Sequence, residues 1–284
     1  MQKNISLETS LEPIYHTSET VNWADSVLST LTIDQKIAQL FMVAANGKNL
    51  DENHYKEVDS LILNYEIGGV IFFQSGPQQL KLLLSRYNEK SSIGLLAGID
   101  AEWGVSMRLD SVQKFPWMMT LGAIQDDDLI YQFGTYVAQQ FRELGLHINF
   151  APVLDINNNP NNPIIDRRSF GEDRSLVASK GFFYMQGLQD NNILACAKHF
   201  PGHGDTDIDS HLALPVINHN RERLDSIELF PFKELIDKRL GAIMVAHLNL
   251  PKIDTLNIPS SFSKKVIKDI LRDDLKFKGL VISD

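Results

Sequence analysis

A chain of 284 residues with 43% hydrophobic and 22% charged side chains has the makeup of a globular protein with a full core. A net charge of −9 without any basic stripe excludes a phosphate-backbone partner, so no nucleic acid is expected. The single cysteine, Cys196, excludes a disulfide within the chain, and no apolar stretch approaches the length of a membrane span.

In chain order, seven short apolar runs read as buried strands: 37–45, 69–73, 95–100, 147–153, 193–200, 242–248 and 279–284. They are continuous rather than alternating, as expected when both faces of a sheet are covered. Amphipathic helical patterns fill the gaps, at about 51–64, 77–90, 126–144, 175–190, 222–239 and 263–275. Leu129, Ile130, Phe133, Val137 and Phe141 show the three- and four-residue apolar spacing, with Asp126 and Ser263 as expected N-caps. The Asn/Pro-rich stretch 157–163 reads as a surface loop after the fourth strand. Strand–helix alternation at this spacing predicts βαβ units and a parallel sheet.

Two parallel architectures compete, a doubly wound open sheet and a (β/α)8 barrel. The first strand is followed by Ala45-Asn46-Gly47-Lys48 rather than a glycine-rich phosphate fingerprint, which disfavours the former. Asp100, Asp155, Lys198 with His199, His247 and Asp284 all stand at or just past a predicted strand's C-terminal end. A barrel gathers those ends into one mouth, the usual seat of catalysis in that fold.

The densest chemistry lies in residues 198–211, KHFPGHGDTDIDSH, with three histidines, three aspartates and a lysine broken by Pro201, Gly202 and Gly204. So many ionisable groups are costly to gather unless they bind something or do chemistry. Asp209 two residues before His211 can fix the imidazole tautomer and favour imidazolium, as a general acid–base requires. The alternation of His203, Asp205, Asp207, Asp209 and His211 also admits a divalent cation, although the spacing fits no standard zinc pattern. Lys198 and His199 stand ready for a ligand hydroxyl or carboxylate; the alternative for the lysine is a snorkelling strand-end residue. Asp100, emerging from an uncharged run, reads as ligand-facing, with Glu102 behind it and Arg108 eight residues on. Arg167 and Arg168 either serve the site or pair with Glu172 or Asp173 on the surface. Asp284, ending an apolar strand, reads as a nucleophile or electrostatic stabiliser, or else as a helix N-cap.

Taken together, these pieces resemble glycoside hydrolase family 3, and within it the β-N-acetylglucosaminidase branch. The signature is Lys198-His199-Phe200-Pro201-Gly202-His203-Gly204 followed by Asp209-Ser210-His211, and the likeness runs from about Trp23 to the last residue. The resemblance implies a (β/α)8 TIM-type barrel over residues 23–284, after an N-terminal extension of residues 1–22. It implies a two-step retaining mechanism on a carbohydrate substrate, with Asp284 as nucleophile, His211 as acid/base and Asp209 orienting His211. Asp100, Arg108, Arg168, Lys198 and His199 would hold the terminal N-acetylglucosamine, with neither metal nor cofactor. Peptidoglycan fragments or related glycans are the expected source of that sugar.

In the family a further helix and strand follow the nucleophile, whereas this chain ends on Asp284. A barrel truncated after its seventh strand is therefore expected, poorly active and aggregation-prone, with an additional C-terminal segment as a possible partner. The first thirty residues lack the apolar core of a signal peptide, so a cytoplasmic location is expected, or an exported one if the N-terminus is trimmed. The rival functions are a β-glucosidase or a phosphorylase on the same scaffold, a metal-dependent hydrolase using the His/Asp run, and a non-catalytic sugar-binding barrel.

Overall fold

The computed structural model describes residue 13 and residues 15–48, 51–207 and 213–284. Seven strands run parallel in the order of the sequence: β1 (Met42–Ala45), β2 (Gly69–Phe72), β3 (Leu96–Ile99), β4 (Ile148–Asn149), β5 (Leu194–Phe200), β6 (Ala242–Val245) and β7 (Leu280–Ser283). The helices are α1 (Ser18–Thr30), α2 (Ile33–Ala38), α3 (Glu52–Tyr65), α4 (Pro77–Asn88), α5 (Met118–Gly122), α6 (Asp127–Leu144), α7 (Arg174–Gln189), α8 (Arg221–Ser226) and α9 (Phe230–Ile236). A wide helical segment, Lys265–Asp274, precedes β7, and Leu275 N–H reaches back five residues to the Ile270 carbonyl.

The sheet is curled, and its two faces bury different residues. On the concave face Ile148, Phe150, Cys196, Ala242 and Met244 form an inner cluster, flanked by Met42, Ile71, Leu96, Leu194 and Ile282. Alternate residues of the same strands, such as Val70, Ala97, Ala195 and Ile243, face outward into the main core beneath the helices. The central strands β4 to β6 are covered on both faces and read as unbroken apolar runs, while β1 and β7 are partly exposed.

All seven predicted strands are present, the first, fourth and sixth shorter than read, and one predicted helix is divided. Residues 37–38 end α2 instead of opening a strand. Thr32 and Gln35 cap that helix reciprocally, Thr32 N–H to Gln35 Oε1 at 2.8 Å and Gln35 N–H to Thr32 Oγ1 at 3.3 Å. The predicted helix 222–239 is two helices, because Pro231 in the first turn of α9 cannot donate to the preceding turn. The fourth strand pairs regularly only over Ile148–Asn149 before the chain turns irregular.

The strongest helical pattern forms as expected. Asp126 caps α6 through Asp128 N–H at 3.0 Å, and Ile130, Phe133, Val137 and Phe141 are buried. Leu129 faces outward at 46% exposure. Ser263 caps the wide helix, its Oγ accepting from Val266 N–H at 3.2 Å. No helix of the described residues is long and apolar enough to cross a membrane.

Candidate active site

A cavity of about 1070 Å³ opens at the C-terminal ends of the strands and along the concave face of the sheet. Asp100, Arg108, Arg168, Lys198, His199 and Asp284 all line it, so six of the eight expected site residues meet there. The other two, Asp209 and His211, lie outside the described residues.

The strand ends deliver their charges through clamped backbone. Just past β3, Ala101 N–H donates to Asn149 Oδ1 at 3.1 Å, and the Ala101 carbonyl accepts from Tyr184 Oη at 2.8 Å. Asn149 Nδ2 in turn donates to Tyr184 Oη at 3.0 Å. This buried trio holds the peptide between Asp100 and Glu102, so both carboxylates turn inward on a rigid support.

From there a chain of charge-assisted bonds crosses the mouth. Arg108 Nη2 donates to Asp100 Oδ2 at 2.7 Å, and Lys198 Nζ to Asp100 Oδ1 at 2.7 Å. The same ammonium lies 2.8 Å from Glu102 Oε1. Arg168 grips Glu102 with both arms of its fork, Nε to Oε2 at 2.9 Å and Nη2 to Oε1 at 2.7 Å. Arg168 Nη2 also stands 3.3 Å from His199 Nε2. A guanidinium only donates, so His199 Nε2 is the acceptor and Nδ1 carries the proton that goes to Asp155 Oδ2 at 2.6 Å. Asp155 also takes the backbone N–H of His203 at 2.6 Å.

Three cations thus share two carboxylates, Asp100 and Glu102, beside the Asp155–His199 pair. Glu102 and Asp155 are fully buried, and Lys198 is 2% exposed. Burial alone would raise the Asp100 and Glu102 carboxyls; Lys198 and the arginines outweigh it and hold both below the ordinary carboxylate range. Burial would likewise lower the Lys198 ammonium, yet Asp100 and Glu102 hold it above its ordinary value. Burial would raise Asp155, and His199 overrides it downward.

A pH dependence follows from those directions. A carboxylate depressed in the folded state stabilises fully above its unfolded value, about 4. That contribution is lost as pH falls through the lower folded value. The melting temperature is expected to hold from pH 7 to about 5 and to drop steeply below about 4. Replacing Glu102 by glutamine should flatten the acid limb; an unchanged limb would show that Glu102 does not drive it.

The loop after β5 is shaped by backbone rather than by charge. Gly202 takes φ of +129°, and a Cβ on Gly204 would lie 1.8 Å from the Ile156 carbonyl oxygen. The Asn/Pro stretch is a loop after β4 with Pro160, Asn161 and Pro163 exposed, as read, and two of its asparagines also brace this segment. Asn162 is buried, and its Nδ2 donates to the carbonyls of His203 at 2.8 Å and Gly204 at 3.0 Å. Asn159 Nδ2 donates to the Thr206 carbonyl at 3.1 Å.

Several sequence readings resolve here. Lys198 does not snorkel, and Arg168 pairs with buried Glu102 rather than with Glu172 or Asp173. Arg167 turns outward, its guanidinium 4.4 Å from the Trp117 ring centre. In the His/Asp run, His203 Nδ1 meets Thr206 Oγ1 and Asp205 pairs with His219 at 2.6 Å. No group of three or more His, Cys, Asp or Glu among the described residues could hold a metal ion. Sequence reasoning left out Asn149 and Tyr184 and gave Asp155 no role. The lone amide inside the run HINFAPV was the available signal for Asn149.

The fold and mouth define a parallel α/β, barrel-type domain with an ion-paired polar pocket at its strand ends. The family model of the glycosyl hydrolase family 3 N-terminal domain matches residues 32–284. The chain belongs to this family. It is 33% identical over 252 residues to a beta-hexosaminidase A of Pseudoalteromonas piscicida, covering 80% of this chain and 42% of that one. It is 36% identical over 239 residues to a beta-hexosaminidase of Nitrosomonas eutropha, covering 80% and 68%. Among solved structures, a family 3 beta-N-acetylglucosaminidase from Paenibacillus sp. str. FPU-7 superposes with a TM-score of 0.83 at 40% identity. That superposition covers 90% of this chain and 49% of the Paenibacillus chain. The chain therefore spans about half the length of several relatives it matches.

Proposed function

We propose that this protein is a retaining exo-β-N-acetylhexosaminidase that removes terminal β-linked N-acetylglucosamine, built on a (β/α)8-type barrel of which seven strands are described. The observation that carries the reading is the buried chain Arg108–Asp100–Lys198–Glu102–Arg168–His199 on the wall of a cavity that Asp284 also lines. Alternating donors and acceptors suit a polyol, whose hydroxyls both donate and accept, while Phe73, Met107, Phe150 and Ile164 offer apolar surface to a sugar ring. The beta-hexosaminidase names of relatives over 30% identical support the amino-sugar specificity. Peptidoglycan fragments or related glycans are the proposed substrates.

In the proposed cycle the Asp284 carboxylate attacks the anomeric carbon as the bond to the leaving oxygen breaks. Imidazolium at His211, oriented by Asp209, gives that oxygen its proton. The neutral imidazole then takes a proton from water. That water attacks the anomeric carbon, frees Asp284 and regenerates the imidazolium. No step uses a metal or cofactor. Lys198, held as a cation between two carboxylates, would bind and not move protons.

Leaving-group dependence tests the acid role. His211→Ala should slow an unactivated N-acetylglucosaminide by about 10²–10⁴-fold and a dinitrophenyl glycoside far less at the bond-breaking step. Equal losses for both substrates would remove His211 from proton transfer. Wild-type activity that chelation abolishes and zinc or manganese restores would favour a metal-dependent hydrolase instead.

A further inference from the structure

Two side chains on the cavity wall carry a buried nitrogen without a hydrogen-bond partner among the described residues: Arg108 at Nε and His203 at Nε2. Arg108 already belongs to the sugar-holding set. His203 has no role in the mechanism above, yet it is 1% exposed and built in on every other side. Its N–H is held by Asp155, the same carboxylate that fixes His199. Its carbonyl is held by Asn162, and its Nδ1 lies 2.7 Å from Thr206 Oγ1. The two imidazoles stand edge to face with centres 5.9 Å apart, and Asp155 holds the ring of His199 and the backbone of His203.

The ring's chemistry narrows what the free nitrogen can take. Burial pushes the imidazole below its ordinary value, so the ring is neutral and carries one N–H. Thr206 Oγ1 serves Nδ1 in either tautomer, because a hydroxyl both donates and accepts. Nε2 is therefore left with one unused donor or acceptor, and a buried polar atom of that kind calls for a partner. A hydroxyl satisfies it in either tautomer, whereas a carboxylate or an ammonium satisfies only one.

We propose that His203 is a further sugar-binding residue whose Nε2 takes one hydroxyl of the saccharide in this cavity. The proposal rests on the saccharide reading given above and names a contact additional to the ion-paired set. His203 is a binding and specificity residue, and it takes no part in bond making.

Calorimetric titration of N-acetylglucosamine and its 3-, 4- and 6-deoxy analogues into wild type, His203→Phe and His203→Gln tests it. The phenylalanine variant should bind N-acetylglucosamine about tenfold more weakly, as for one lost neutral hydrogen bond. One deoxy sugar alone should bind wild type and that variant equally, and glutamine, which restores a polar atom near Nε2, should recover part of the loss. In ¹⁵N-histidine spectra of wild type, one Nε2 resonance should move on saturation with the sugar and be missing from His203→Gln, a readout that needs no folded phenylalanine variant. Unchanged affinity in His203→Phe, equal losses across all deoxy sugars, or an unmoved Nε2 resonance overturns the proposal. If wild type binds glucose and not N-acetylglucosamine, the hexosaminidase reading alone fails. The same series with deoxyglucoses then decides the His203 contact.

Discussion

Replacing Asp284 by asparagine should lower turnover of an aryl N-acetylglucosaminide by about 10⁴-fold or more, the scale seen when a covalent nucleophile is removed. The substitution is isosteric, and the position is held by backbone: Asp284 N–H donates to the Val245 carbonyl at 3.0 Å, and the Asp284 carbonyl accepts from His247 Nε2 at 2.8 Å. The fold and the sugar-gripping set should therefore survive, with N-acetylglucosamine affinity within a few-fold of wild type. A 5-fluoro N-acetylglucosaminyl fluoride should label wild type with one sugar on the peptide containing Asp284 and leave the variant unlabelled. Label on another residue, or turnover near wild type, would falsify the nucleophile assignment.

Lys198→Met should destabilise the protein by about 3–5 kcal/mol, because it leaves two buried carboxylates facing each other without their shared cation. Lys198 Nζ lies 2.7 Å from Asp100 and 2.8 Å from Glu102, and Glu102 is wholly buried. Combining it with Glu102→Gln should cost less than the sum of the single changes, since each removes a charge the other needs. Urea unfolding of the two single variants and the double variant measures this coupling. Strict additivity would mean the two groups do not depend on each other. Lys198→Met should also weaken N-acetylglucosamine binding.

Much of the scaffold could be read without coordinates. Seven apolar runs became seven parallel strands, and the caps at Asp126 and Ser263 formed as their residue types predict. The errors were local. The apolar run at 37–45 hid the end of a helix whose Thr32-x-x-Gln35 box was legible but outweighed by hydrophobicity. Pro231 inside a helical pattern was a visible break in 222–239. The Asn/Pro stretch is the surface loop its composition implies except at Asn162, which turns inward and donates to the carbonyls of His203 and Gly204.

Strand-end position brought Asp100, Lys198, His199 and Asp284 to one mouth, since a parallel sheet with ordered crossovers delivers all its C-terminal ends to the same side. Arg108 and Arg168, which only the family resemblance assigned to the site, line the same cavity. The sequence could not say which charge meets which. Glu102 is shared by Lys198 and Arg168, 96 and 66 residues away in the chain, and Asp155 holds His199 and His203 together. Those pairings depend on distances of a few ångströms between strand ends and on burial that makes an unpaired charge costly. Both exist only once the sheet has curled and closed off water.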